Sequence, residues 1–377
     1  MGQVADASYL SVGWDLYFLP LVPGRECREL YSTPAMKKTK HLPAKIKGLG
    51  EDALLGRIEA IATRTGIRSS RVRLGVGDDA ALFRGSTGFD QILTCDWFLE
   101  GTHFLRDKHS PDAVGWKCLA RALSDVAAMG GAPRCFLLSL ALPASDTGQW
   151  LDEFLRGLCR AAKRFRCALA GGDTTERADI LINVTVVGEV RTGRAVLRSG
   201  ARPGDVLFVS GRLGEAELGL ALVRKSERRV DSRDPILRKH LYPEPRLALG
   251  RWLAERRLAS AMMDLSDGLS TDLPRLCAAN KVGARIEAEK LPAVLGRKGV
   301  QSQDEDSLHL ALHGGDEYEL LFTVPRKKMN RIPRSVGGVP LTAIGKITKE
   351  GRLRVVERSG REVSLPNRGW DPFRQRR

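Results

Sequence analysis

The chain has 377 residues, of which 42% are hydrophobic and 28% charged, with a formal net charge of +16. That length exceeds the usual size of one hydrophobic core, so the chain reads as globular with two domains. The longest apolar stretches, such as Cys135 to Pro143, fall well short of the roughly 20 residues a membrane-spanning helix requires, which excludes a helical membrane protein.

The excess positive charge sits in arginine-rich runs, Arg224 to Arg233 and Arg374 to Arg377. It suits anionic substrates; no aromatic–basic interleaving accompanies it, so a nucleic-acid function is not expected. The seven cysteines, Cys27, Cys95, Cys118, Cys135, Cys159, Cys167 and Cys277, form no Cys-x-x-Cys pair. Neither a zinc site nor a disulfide framework is indicated, and reduced thiols in a cytoplasm are expected. The apolar run Leu16 to Val22 lacks a basic flank and a cleavage site. Met36, followed by Lys37, Lys38 and Lys40, resembles an ordinary start, so residues 1–48 are read as an extension, disordered in part.

From residue 51 helices and strands alternate. Leu54, Leu55, Ile58, Ile61 and Ala62 recur at helical spacing and predict a helix over Glu51–Thr65. Strands follow at Gln91–Cys95 and Cys135–Leu142, separated by a helix over Asp112–Met129. A helix over Thr147–Arg164 leads to strands Cys167–Ala170 and Ile180–Val190, completing an α/β domain over 49–193. The glycine- and proline-containing segment Arg191 to Gly204 serves as a linker. A second α/β domain over 194–377 carries strands Val206–Ser210, Ala261–Asp264 and Ala284–Ala288, with helices Leu213–Arg224, Pro245–Leu258 and Gly268–Ala279. Strands near Leu308–Leu312, Tyr318–Val324 and Leu341–Ile347 complete it.

Acidic residues cluster beside glycine at the ends of apolar strands, where an uncompensated carboxylate is costly to desolvate. The clusters are Gly75-Val-Gly-Asp78-Asp79, Thr94-Cys95-Asp96, Leu123-Ser124-Asp125, Gly171-Gly172-Asp173-Thr174-Thr175, Asp264-Leu-Ser266-Asp267-Gly268 and Gly314-Gly315-Asp316-Glu317. Each alone fits a turn or helix cap, the reading being strongest for Asp125 and Asp173. Six together, without histidine or thiolate partners, point to several Mg²⁺ ions and a polyphosphate. Gly75-Val-Gly77-Asp-Asp-Ala80 also fits the dinucleotide pattern G-x-G-x-x-A, but its two aspartates would repel a pyrophosphate. The sequence holds no G-x-x-x-x-G-K-[ST] loop and no protein-kinase motif set.

The blocks GVGDDAAL (75–82), DWFLEGTHF (96–104), LSDVAAMGGAP (123–133), AGGDTT (170–175), DLSDGL (264–269) and GGDEYEL (314–320) resemble the thiamine-monophosphate kinase family. Any one block is weak; the ordered set, spanning residues 51–373, is specific. The resemblance implies the two-domain α/β (α+β) fold of aminoimidazole ribonucleotide synthetase and a homodimer that pairs N-terminal sheets. It implies ATP and thiamine monophosphate as substrates and Mg²⁺ as cofactor. By it Asp79, Thr94, Cys95, Asp96, Asp125, Asp173, Asp264 and Asp267 fall on metal positions. Gly172, Asp173, Arg198 and Ser266 fall on ATP positions, and His103, Asp316 and Trp370 on substrate positions.

By chemistry alone these roles stay open. Arg198 suits phosphate or is a surface arginine; His103 suits a substrate contact or a core imidazole; Trp370 anchors the C-terminus or stacks on a cationic ring. Two departures from the family pattern stand out. Cys95 replaces the usual threonine or serine, which leaves a metal contact to its backbone carbonyl or removes it. Asp316-Glu317 reverses the usual Glu-Asp order, and position favours Asp316. No general base is expected, because the acceptor is already an anion. A nucleotide-sensing or nucleic-acid-associated binder on the same scaffold is the alternative, favoured by the basic excess and Cys95.

Overall fold

The computed structural model describes residues 72–74, 78, 80–84, 87–226, 235–294 and 304–373. The expected helix over Glu51–Thr65, the extension over 1–48 and Asp79 lie outside the described residues.

A six-stranded sheet is built from β1 (Val72–Leu74), β2 (Ala81–Arg84), β3 (Phe89–Leu99), β4 (Ala132–Leu142), β5 (Ala168–Glu176) and β6 (Leu181–Arg191). Its order is β1-β2-β3-β6-β4-β5, with only β4 and β5 parallel. Alternation along each strand gives it two different faces. Ile92, Phe98, Phe136, Leu138, Ile182, Val184 and Val186 form one core face. Trp97, Leu137 and Leu169 are 55%, 44% and 50% exposed, and β5 is exposed along its whole length at the sheet edge.

Helix α1 (Pro111–Ala128) lies on the core face. Ser110 caps it by accepting from Ala113 N–H, Pro111 occupies its first turn and Asp112 complements its dipole. Most of α1 is buried, because α2 (Gln149–Phe165) and the second sheet also pack on it. A Cβ on Gly157 of α2 would meet the Asp112 carbonyl oxygen at 1.8 Å, so glycine sets how closely the two helices approach.

The second sheet has the order β14-β13-β9-β12-β7-β10-β8, with β11 on β12. Its strands are β7 (Val206–Ser210), β8 (Ala261–Leu265), β9 (Gly283–Glu287), β10 (Glu319–Val324), β11 (Ser335–Val336), β12 (Val339–Thr348), β13 (Leu353–Val356) and β14 (Glu362–Ser364). Among the described residues five α-helices accompany it: α3 (Glu215–Lys225), α4 (Pro235–Leu241), α5 (Leu247–Glu255), α6 (Leu269–Asn280) and α7 (Asp304–His313). Both faces are covered. Val209, Met263, Leu265 and Leu321 pack with Leu269, Leu273 and Leu276 of α6, whereas Phe208, Met262, Leu320 and Phe322 pack with Leu249 and Leu253 of α5. Strand β10, apolar on both faces, is therefore buried throughout.

Two expectations are corrected. Residues 308–312 form part of α7, not a strand; Leu308, Ala311 and Leu312, at helical spacing, meet the core, and the Leu308/Leu310/Leu312 alternation misleads. The strand expected to stop at Ala170 continues to Glu176, so the AGGDTT motif is strand, with Asp173 opposite Ser139 of β4.

Candidate active site

A cleft of about 720 Å³, its open mouth included, is lined by His103, Arg121, Ser266, Asp267, Asp316 and Trp370 among others. Five separate segments supply these six residues. The three residues expected on substrate positions, His103, Asp316 and Trp370, thus share one cavity with Ser266 and Asp267.

Backbone bonds between loops hold the cleft together. Asp316 N–H donates to the Ser266 carbonyl at 2.7 Å, Tyr318 N–H to that of Leu265 at 2.8 Å, and Trp370 N–H to that of Asp267 at 2.9 Å. Asp316 and Tyr318 both take left-handed backbone (φ 62° and 51°), a strain of order 1–3 kcal/mol apiece that these bonds sustain.

His103 is a neutral donor. Its Nδ1 accepts from Leu99 N–H at 3.0 Å, so the proton sits on Nε2. Burial, helped by the Arg121 charge, lowers its pKa to about 3. Asp316 is the reverse case. Burial pushes its pKa up, but Lys117 at 2.7 Å, with Arg121, outweighs burial and holds it below the ordinary carboxylate range. Tyr318 Oη donates to its other oxygen at 2.8 Å.

Glu317 turns away from the cleft. It is fully buried and its Oε1 accepts from Gly214 N–H at 2.7 Å and Ala216 N–H at 3.1 Å, capping α3. Its Oε2 has no hydrogen-bond partner among the described residues, and Lys239 Nζ lies 4.0 Å away. Burial pushes its pKa from 4.5 up to about 8, against the opposing pull of Lys239. Between those two values the folded protein keeps a proton that the unfolded chain has lost, so stability from this group falls as pH rises through that window. Glu317→Gln keeps the acceptor and removes the ionisation. Its melting temperature should decline less than the parent's from about pH 5 to pH 8; a steeper decline would contradict this environment.

The expected metal residues divide by sheet face. Thr94 and Asp96 point from β3 toward α1, where Thr94 Oγ1 donates to Asp125 and Asp96 meets Arg121 at 3.3 Å. Cys95 points to the opposite face, with its Sγ 3.2 Å from Asn183 Nδ2 and 3.5 Å from Thr185 Oγ1. The Cys95 side chain is therefore not brought together with Thr94, Asp96 and Asp125. Asp125 lies within α1, neither in a turn nor at a cap.

Asp264 is buried at the end of β8, and Asp267 begins the turn into α6. Asp267 N–H donates to Asp272 at 3.0 Å, and Arg275 Nη1 lies 2.5 Å from Asp267 and 3.2 Å from Asp272. Burial, together with repulsion from Asp267 and Asp264, raises the Asp272 pKa well above the ordinary range. Gly172 and Asp173 sit on edge strand β5 and do not line the cleft. A Cβ at Gly172 would meet the Leu138 carbonyl oxygen at 1.8 Å, which accounts for the glycine. Arg198 N–H donates to the Asp78 carboxylate at 3.0 Å and its carbonyl accepts from Asn280, placing it beside the Gly-Asp-Asp motif.

Among the described residues no three His, Cys, Asp or Glu groups are arranged to hold a metal by themselves. The donor chemistry nonetheless fits Mg²⁺, which binds through one or two carboxylates and completes its shell with phosphate oxygens and water. The mutual repulsion of Asp264, Asp267 and Asp272 is also what a cation relieves.

Sequence reasoning missed Lys117, Arg121, Asp272 and Arg275. A signal existed for the first two: Lys117, Arg121 and Asp125 recur every fourth residue as a polar stripe on an otherwise apolar helix, the mark of a face turned to a site.

The family model for AIR synthase related protein, N-terminal domain, matches residues 77–190, and that for the C-terminal domain matches 202–358. The thiamine-monophosphate kinase of Escherichia coli (strain K12) is 38% identical over 315 residues, covering 81% of this chain and 94% of that protein. The Bacillus subtilis (strain 168) thiamine-monophosphate kinase is 34% identical over 329 residues, covering 84% and 98%. A solved structure of AaThiL complexed with AMPPCP and TMP has a TM-score of 0.73 at 32% identity, covering 88% of this chain and all of that one. With both domains matched in order and the relatives covered almost end to end, this chain belongs to the thiamine-monophosphate kinase family of AIR synthase related proteins.

Proposed function

We propose that the protein transfers the γ-phosphate of ATP to thiamine monophosphate by direct in-line attack, giving thiamine diphosphate and ADP. The observation that carries this is the convergence of His103, Asp316 and Trp370 on one cleft with Ser266 and Asp267. The acceptor phosphate is already an anion, so no general base is needed, and positioning and electrostatics supply the catalysis.

The chain's own groups divide the work. His103 Nε2–H donates to substrate, the Asp316 carboxylate accepts from it, and the Trp370 indole stacks on the cationic thiazolium ring. Arg121, held by Asp96, presents positive charge at the cleft wall. Gly172, Asp173, Arg198 and Ser266 form the ATP side. Asp79, Thr94, Asp96, Asp125, Asp173, Asp264 and Asp267, with the Cys95 backbone carbonyl, would hold Mg²⁺. When bound, that ion offsets repulsion between the two polyanions and the charge developing in transfer.

Residues 49–193 and 194–377 act as the two domains, and two copies pair through the open face bearing Trp97 and Leu137. The free cysteines fit a cytoplasmic setting. Among the described residues no helix is long and apolar enough to cross a membrane. Incubation with ATP, Mg²⁺ and either thiamine monophosphate or thiamine, read by chromatography, tests the acceptor. Thiamine diphosphate from the monophosphate alone, and none without Mg²⁺, is expected; phosphorylation of free thiamine instead would overturn the reading.

A further inference from the structure

Behind the cleft lies a buried polar chain that the proposed chemistry does not use. Lys117 is 1% exposed and bonds Asp316 Oδ2 at 2.7 Å. Its ammonium also reaches His240 Nδ1 at 3.3 Å. His240 Nε2 lies 3.1 Å from His109 Nε2, and both rings are buried. His109 Nδ1 is 3.2 Å from the Leu105 carbonyl oxygen, and His109 and Leu105 line the cleft wall that carries His103.

The donors in this chain can run only one way while Lys117 is charged. An ammonium has donors and no acceptor, so His240 Nδ1 must accept. The His240 proton then sits on Nε2 and points at His109 Nε2, which must accept in turn. His109 therefore carries its proton on Nδ1 and donates to the Leu105 carbonyl. The reverse order, in which His109 Nδ1 accepts from Leu105 N–H at 3.1 Å, would leave His240 Nδ1–H facing the ammonium. The ion pair with Asp316 keeps Lys117 charged and so selects the first order.

We propose that Lys117 is a positioning residue for the substrate: its contacts with Asp316 and with the His240–His109–Leu105 chain hold the Asp316 wall and the His103 wall of the cleft in register. The two walls come from different halves of the chain, and Lys117, on α1 between them, bonds one directly and the other through two neutral imidazoles. A buried hydrogen-bonded network that ties two walls together restricts their relative motion, which is what a site needs to keep two substrate contacts at a fixed separation. The inference rests on the reading of this cleft as the thiamine monophosphate site.

The experiment is steady-state kinetics on His240→Leu, His240→Gln, Lys117→Met and Asp316→Asn, with thermal melts confirming that each variant folds. His240→Leu should raise KM for thiamine monophosphate about tenfold and leave KM for ATP within about twofold. His240→Gln, whose amide can accept from Lys117 and donate to His109, should recover most of that loss. Because Lys117→Met leaves the buried Asp316 carboxylate uncompensated and endangers folding, the His240 pair carries the decision. Equal losses in Leu and Gln, or no loss in Leu, would overturn the relay. If Asp316→Asn leaves KM for thiamine monophosphate unchanged, the substrate reading of the cleft fails instead.

Discussion

Asp267→Asn is expected to lower turnover by about a hundredfold or more without lowering the melting temperature. The activity loss follows from removing a carboxylate at the cleft from a reaction that depends on charge compensation, an effect of several kcal/mol. The stability expectation follows from the surroundings. Burial raises the Asp267 pKa against the opposing pull of Arg275, and Asp267 in turn is the leading charge that raises Asp272. Neutralising it relieves that repulsion while Arg275 keeps Asp272 at 3.2 Å. Kinetics and a thermal melt on the same preparation check both parts. If activity and stability fall together, Asp267 is structural.

Arg246→Leu is expected to cost about 3 kcal/mol of stability, the lower end for breaking a buried ion pair, because Lys239 remains. Glu319 has no exposed side-chain surface; Arg246 Nε bonds its Oε2 at 2.7 Å, Lys239 Nζ lies 2.5 Å from Oε1 and Ser210 Oγ donates at 2.6 Å. Burial raises the Glu319 pKa, but Lys239 and Arg246 outweigh it and bring it down to about 2. A carboxylate with a depressed folded pKa contributes stability above its unfolded value of 4.5, which is lost as pH falls toward 2. The gap between parent and variant should therefore be widest above about pH 5 and narrow toward pH 3. Urea unfolding across that range reads it, and a gap independent of pH would mean lost packing alone. Glu319 lies three residues beyond Asp316, so this network also anchors the loop that presents Asp316 to the cleft.

Much of this arrangement was legible in the residues. Apolar periodicity placed α1, β4, β6, β7 and α6 within a few residues of their ends, and two of the six acidic blocks, Asp264–Gly268 and Gly314–Glu317, marked loops that line the cleft. Alternation along a short run misled at 308–312, where three leucines two apart lie on a helix. The division of labour in Asp316-Glu317 depended on backbone conformation: the left-handed turn sends Asp316 to the cleft and Glu317 beneath α3. Side-chain direction on β3 likewise follows the pleat, which separates Cys95 from Thr94 and Asp96 although the three are consecutive. His109 and His240 are 131 residues apart, and no local pattern announces their contact.

The most direct test of phosphoryl transfer to thiamine monophosphate is to follow label from [γ-³²P]ATP in the presence of Mg²⁺ and thiamine monophosphate. Direct transfer places the label in the terminal phosphate of thiamine diphosphate, matched one for one by ADP. Label released as inorganic phosphate, or retained covalently on the protein, would contradict direct transfer.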